Sequence, residues 1–275
     1  MARLFARSGY RVFAGARNLE SCSEIEKLAS DEGLEIHSVE IDVDDDESVS
    51  EAAKVVLSKV ERLDVLVNNA GIGVFGVAEE VQFEEIKRVM ETNFFGAIRL
   101  TKSFLPHMRK TRDGNITFMS SWMGRVTLAG MLTYACSKSA LETFAETLAQ
   151  EVLRFGISVH ILEPGYAKTP MHGKAPKYEL PKNSPYDDLY RNWRSHWKVG
   201  YRNPTLPEHV SKTLYDAIES KDSKLRLVVG ADAQQWIDSR KKTSDETWRE
   251  AGKPREHDEF IRWADKIFGE GLFRL

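Results

Sequence analysis

Three residues of this chain, Ser121, Tyr134 and Lys138, have the types and spacing to move a proton. Tyr134 and Lys138 stand four apart in a stretch with helical periodicity, so both side chains project from one face. A free phenol ionises at about 10, too high for a base at neutral pH. An ammonium one turn away stabilises the phenolate and lowers that value. Ser121 closes a strand-like run, where its hydroxyl can hydrogen-bond a substrate carbonyl oxygen. Carbonyl reduction needs an acid near the developing oxyanion and a second donor to hold that oxygen, and this set supplies both. Tyr-x-x-x-Lys alone is a weak signal, equally compatible with a surface helix that carries no chemistry. The serine ahead of it strengthens the signal.

These residues need a rigid frame, and the surrounding pattern predicts one. Strand-like runs fall at Tyr10–Ala14, Glu35–Ile41, Leu63–Val67, Asn115–Met119, Ile157–Leu162 and Leu225–Val229, with helical patterns between them. After Ile41, Asp44 and Glu47 are spaced as a capping box, followed by Val49, Ala52, Val56 and Val60 on one face. A second helix is predicted from about Phe83 to Met108. A third runs from about Thr133 to Arg154, with Leu141, Phe144, Leu148 and Val152 as its apolar stripe. Strands alternating with helices imply right-handed crossovers and a doubly wound parallel α/β sheet covered on both faces. The expected division is a catalytic domain over 1–230 and a helical C-terminal extension over 231–275. Residues 168–205 break the rhythm. Lys168 to Arg202 holds eight Lys/Arg against three Asp/Glu, with Trp193 and Trp197 four apart. That segment reads as a lid over a substrate site or as a solvated excursion anchored by its tryptophans.

Composition excludes several classes. The 275 residues are 41% hydrophobic and 29% charged with a net charge of −3, ordinary for a globular protein and no attraction to nucleic acid. Cys22 and Cys136 lack metal-ligand spacing, so two reduced thiols in a cytoplasmic protein and no metal are expected. No apolar run approaches the roughly 18 residues of a membrane span. The first nineteen residues contain Arg3, Arg7, Arg11 and Arg17 and no acid, which imitates a transit peptide. A short helix ending at Gly9 and a strand after it account for the same pattern.

Further segments, taken in order, resemble the short-chain dehydrogenase/reductase family over roughly residues 1–170. Asn68-Asn69-Ala70-Gly71 after a strand is similar to that family's NNAG segment, and Asn93 in Glu-Thr-Asn-Phe-Phe-Gly to its helix asparagine. Ser121 precedes Tyr134 by thirteen residues, Tyr134-Ala-Cys-Ser-Lys138 resembles the YxxSK pattern, and Pro164-Gly165 with Ala167 and Thr169 resembles the segment beside the nicotinamide. The resemblance implies a Rossmann-like fold. It makes Tyr134 the acid/base, has Ser121 orient the substrate oxygen, and gives Lys138 both the phenol and the nicotinamide ribose. Asn93 would hold a relay water, and Asn68, Ala70 and Gly71 would line the adenosine side. It also implies a homodimer or homotetramer. Each segment has a plainer reading: Asn68 to Gly71 as a turn, Asn93 as a satisfied helix polar group, Pro164-Gly165 as a generic turn.

Cofactor choice rests on Ala16-Arg17 after the first strand. An acid there would bind the 2′-hydroxyl of NAD, whereas an arginine suits the 2′-phosphate of NADP, so NADP(H) is expected. Asp42-Val43 resembles the family's adenine-contacting pair, although Asp42 could equally cap a turn. The family's first strand and its Thr-Gly-x-x-x-Gly-x-Gly turn do not occur in this sequence. That turn sets backbone N–H groups against a pyrophosphate, and its strand lies centrally in the sheet. The expectation is a start at an internal methionine with about twenty residues upstream; the alternative is a true short form. On either account, the chain as written is expected to bind NADPH poorly. Two functions follow: an NADP(H)-dependent oxidoreductase acting on a small carbonyl or alcohol substrate, or a catalytically silent binding or scaffold protein of the same fold. Trp122, Met123, Val126, Tyr166, Trp193 and Trp197 are candidate walls of an apolar substrate pocket, while the basic 168–202 segment points to an acidic group.

Overall fold

The computed structural model describes residues 1–169, 183–200, 202, 204–221, 224–254 and 256–269. Strands and helices alternate as the periodicities require. In chain order they are α1 (Ala2–Arg7), β1 (Val12–Ala16), α2 (Ser23–Glu32), β2 (Ile36–Glu40), α3 (Asp46–Leu57), β3 (Val65–Asn68), α4 (Phe83–Met90), α5 (Gly96–Thr111), β4 (Gly114–Met119), α6 (Leu132–Val152) and β5 (Ile157–Pro164). Then come α7 (Asp187–Gly200), α8 (Pro207–Glu219), β6 (Arg226–Val229), α9 (Ala231–Lys242), α10 (Asp245–Arg249) and α11 (His257–Phe268).

All strand pairs are parallel, and β3, β4, β5 and β6 are neighbours in that order. β4 and β5 run side by side from Gly114↔Ile157 to Met119↔Leu162. Ile116, Thr117, Phe118, Ile161 and Leu162 are completely buried, as strands covered on both faces must be. On one face α3, α5 and α6 supply Ala52, Val56, Phe104, Met108, Leu141, Leu148 and Val152 to the main core. On the other, α1 and α8 pack Phe5, Val210 and Leu214 against Leu162, Leu227 and Val229.

The sheet is in two parts. β1 pairs only with β2, from Val12↔Ile36 to Ala16↔Glu40, and among the described residues no strand joins β1 to β3.

Several expected boundaries move for identifiable reasons. β1 starts two residues late because the Tyr10 N–H donates to Phe5 O, 3.1 Å away, closing the turn after α1, where Gly9 has φ +89°. The cap of α3 is Asp45, not Asp44: Asp45 accepts from Ser48 N at 2.6 Å, while Asp44 accepts from Thr92 Oγ1 at 2.8 Å. Val60 falls beyond the end of α3. The helix expected from Phe83 to Met108 is α4 and α5 joined by a single π-helical turn, Glu91–Phe95, around Asn93. Part of the expected 168–205 lid, residues 170–182, 201 and 203, lies outside the described residues, as do the side chains of Trp193 and Trp197.

Candidate active site

The first two turns of α6 carry Tyr134 and Lys138. The helix start is pinned by Thr133 Oγ1, which donates to Val74 O at 2.9 Å. Opposite it the chain leaving β4 stays extended through Ser121 (φ −165°, ψ 160°) and then turns over Trp122–Gly124. Ser121 therefore does not end the strand, which stops at Met119; it caps the short turn after it, accepting from Met123 N at 3.2 Å. That acceptance leaves its hydroxyl hydrogen to donate.

Lys138 is 2% exposed, and its Nζ donates to the Met119 carbonyl at 2.7 Å while lying 5.6 Å from the centre of the Tyr134 ring. Burial pulls this ammonium down to about 8, and the carboxylate of Glu142 opposes the shift. Burial pushes the Tyr134 phenol up to about 12; the neighbouring Ser121 hydroxyl, a hydrogen-bond partner for the phenolate, pulls the other way. Desolvation, not Lys138, therefore sets the direction of the Tyr134 shift. At neutral pH Tyr134 holds its proton and is poised as an acid.

One cavity of about 1830 Å³ joins these groups to the gap between β1 and β3. Its wall includes Ser121, Tyr134, Lys138, Asn68, Ala70, Gly71, Val43, Pro164, Gly165, Ala167 and Thr169. Asn68 is buried, with Nδ2 donating to Thr101 Oγ1 at 3.1 Å, while its Oδ1 has no hydrogen-bond partner among the described residues. At Gly71 a Cβ would stand 3.4 Å from Asn93 Oδ1 and 3.5 Å from Lys138 Nζ, so glycine keeps the passage to the lysine clear. At Gly165 a Cβ would come within 2.1 Å of Asp232 Oδ2, the carboxylate that accepts from Tyr166 N. Only glycine fits that approach.

Three expected residues stand off this wall. Asn93 is fully buried: its Oδ1 accepts from Ile72 N at 2.8 Å, and Nδ2 donates to Ile72 O and to Ser137 Oγ, each at 2.9 Å. Its side chain fastens the 70–72 loop to α6. Asp42 accepts from Asp44 N at 3.1 Å, the turn-capping role, and leaves Val43 on the cavity. Arg17 is exposed at the end of β1.

Towards the far end, Val74, Phe75, Trp122, Met123, Met131 and Tyr166 make an apolar wall with Arg194 beside it. Val126 is buried behind that wall, in the same aromatic cluster. The C-terminal helices, from which the sequence offered no chemistry, support it: Trp236 of α9 stacks on Trp122 at 4.6 Å and 19°, with Phe268 4.3 Å behind.

The residues missed by sequence reasoning are charges buried beside the site. Glu142 is 4% exposed and Glu163 fully buried, and Arg226 reaches both. The available signal was spacing, since Glu142 continues the four-residue interval of Tyr134 and Lys138 on a stripe of buried positions.

Comparison with known proteins agrees with this geometry. Residues 1–179 match the short chain dehydrogenase family. Retinol dehydrogenase 8 of Bos taurus is 38% identical over 169 residues, 61% of this chain; the match spans about half, 54%, of that protein's length. A short-chain dehydrogenase structure from Streptomyces avermitilis superposes with a TM-score of 0.77 at 31% identity, covering 92% of this chain and 90% of that one. An alcohol dehydrogenase from the archaeon Thermococcus sibiricus, complexed with 5-hydroxy-NADP, has a TM-score of 0.68 at 26% identity, covering 83% and 88%. The parallel sheet, the ordered segments from Asn68 to Thr169 and these likenesses together place the chain in the short-chain dehydrogenase family.

Proposed function

We propose that the protein is an NADP(H)-dependent oxidoreductase that reduces the carbonyl group of an apolar small molecule, or oxidises the matching secondary alcohol. The observation that carries this reading is the shared cavity: Ser121, Tyr134 and Lys138 face one space that continues past Asn68 to Gly71. The residues suit a nicotinamide cofactor at its ribose end, where Gly71 leaves room beside Lys138 and the unpartnered Asn68 Oδ1 awaits a donor. When bound, that cofactor supplies the hydride. Tyr134, neutral because burial holds its phenol at about 12, gives its proton to the substrate oxygen, and Ser121 donates to the same oxygen. Lys138, held by Met119 O, stabilises the phenolate left behind. Arg17 after Ala16 supports NADP over NAD, as does the 5-hydroxy-NADP of the Thermococcus relative.

The apolar wall around Trp122 favours a lipophilic ketone or alcohol, in keeping with the likeness to a retinol dehydrogenase. Two free cysteines suit a reducing compartment, and we place the protein in the cytoplasm as a homodimer or homotetramer, with exposed Phe95 and Leu153 offering apolar surface for self-association. No described helix is long and apolar enough to cross a membrane.

The test is a panel of lipophilic and polar ketones with NADPH deuterated at the transferring carbon. Deuterium on the carbinol carbon of a lipophilic product is expected; cofactor binding without any carbonyl reduction would overturn the reading. That outcome would select a second reading, a catalytically silent binding protein of the same fold.

A further inference from the structure

We propose that Glu142 is a positioning residue of this site, acting on Ser121 through Ser120 and on Tyr134 through Lys138. The inference rests on the reading of Tyr134 and Ser121 given above. Helix α6 presents Tyr134, Lys138 and Glu142 at successive turns, and the end of β4 presents Met119, Ser120 and Ser121 in succession. The two rows are laced together. Lys138 Nζ donates to Met119 O at 2.7 Å, Ser120 Oγ donates to Glu142 Oε1 at 2.7 Å, and Ser121 stands beside Tyr134. Successive side chains on an extended chain point to opposite sides, so a grip on Ser120 fixes the direction of Ser121. The turn that follows closes over the carboxylate: a Cβ at Gly124 would lie 2.1 Å from Glu142 Oε1.

Glu142 also shapes the charge of the site. Lys138 and Glu146 flank it on α6, Arg226 of β6 approaches Oε2 at 3.4 Å, and the Ser120 hydroxyl faces it from just past the end of β4. Behind Arg226 lies Glu163 of β5, 3.2 Å from Arg226 Nε and 3.2 Å from Arg125 Nη1, with Lys241 of α9 acting on it from further away. Two buried carboxylates thus lean on Arg226 and Arg125. A buried charge of this kind is expensive, and neutralising it still leaves Arg226 beside Glu146 and Glu163. Its return lies at Lys138, whose positive charge the Glu142 carboxylate sustains against burial.

The pH behaviour follows. Burial and the repulsion of Glu163 push Glu142 up to about 7. With its folded value raised, the protonated form is the one the fold favours; that stability is present in full below the ordinary carboxyl range and is lost as pH rises through about 7. Above that pH the carboxylate supports Lys138 at the expense of stability.

The experiment compares the full chain with Glu142→Gln, which keeps an acceptor for Ser120 but no charge, and Glu142→Ala, which keeps neither. Tyr134→Phe serves as control. Between about pH 5.5 and about pH 8, the kcat ratio of wild type to the Gln variant should rise from within about twofold to at least about tenfold. The melting temperature of the Gln variant at the higher pH should match or exceed that of wild type. The Ala variant should be impaired across the range. In cofactor-free protein, the labelled Lys138 side chain followed by NMR should titrate at lower pH in the Gln variant. An unmoved Lys138 midpoint overturns the proposal whatever the activity, as does a Gln variant whose kcat and melting temperature fall together. If Tyr134→Phe turns over like wild type, the reading of Tyr134 fails separately.

Discussion

The ammonium of Lys138 is committed to the carbonyl of Met119, at 2.7 Å, at the point where β4 hands over to the segment carrying Ser121. The lysine is therefore a structural tie and a charge in one side chain, and the two roles separate by pH. Its folded value is depressed to about 8 from 10.5, so the stability it contributes is present above its unfolded value and is lost as pH falls through about 8. The stability difference between wild type and Lys138→Met should swing by about 2–3 kcal/mol towards wild type between about pH 7 and about pH 10. Denaturant unfolding at the two pH values measures it. The Met119 hydrogen bond adds only a nearly constant offset. Turnover should fall by about 10²–10⁴-fold at neutral pH.

The proposed preference for NADP rests on Arg17, which stands exposed just past Ala16 at the end of β1. Arg17→Glu removes the partner for a 2′-phosphate and sets a carboxylate against it. The kcat/KM ratio for NADPH over NADH should drop by at least about tenfold. An unchanged ratio in steady-state assays would place the phosphate elsewhere.

The tail holds the apolar wall of the cavity, the proposed substrate wall, through Trp236, stacked on Trp122 at 4.6 Å and itself 4% exposed. Trp236→Ala should cost about 3–5 kcal/mol by denaturant unfolding. Freed from its neighbour, Trp122 should move, raising KM for a lipophilic ketone more than it lowers kcat. If KM stays unchanged despite the lost stability, Trp122 is no part of the substrate wall.

The runs of all six strands were visible in the sequence, and β4 and β5 are mostly apolar because they are buried on both faces. Tyr134, Lys138 and Ser121 were visible because helical spacing and strand-to-helix order are local properties. What escaped depended on distant partners. Asp44 has the chemistry of a helix cap, yet Thr92, forty-eight positions away, claims it and Asp45 takes the cap. The side-chain amide of Asn93 is taken up by Ile72 and Ser137, partners that its sequence neighbourhood does not reveal. Glu142 looks like any helix glutamate until Ser120, just past β4, and Arg226 of β6 arrive beside it. The acidity of Tyr134 was misjudged because spacing shows the lysine's charge but not the burial that opposes it.

The central claim is that the Tyr134 phenol delivers the proton, and Tyr134→Phe tests it with little else disturbed. The account predicts that kcat for carbonyl reduction falls by about 10³-fold while the cofactor dissociation constant stays within about twofold. A Phe variant that keeps kcat within about tenfold of wild type would contradict it.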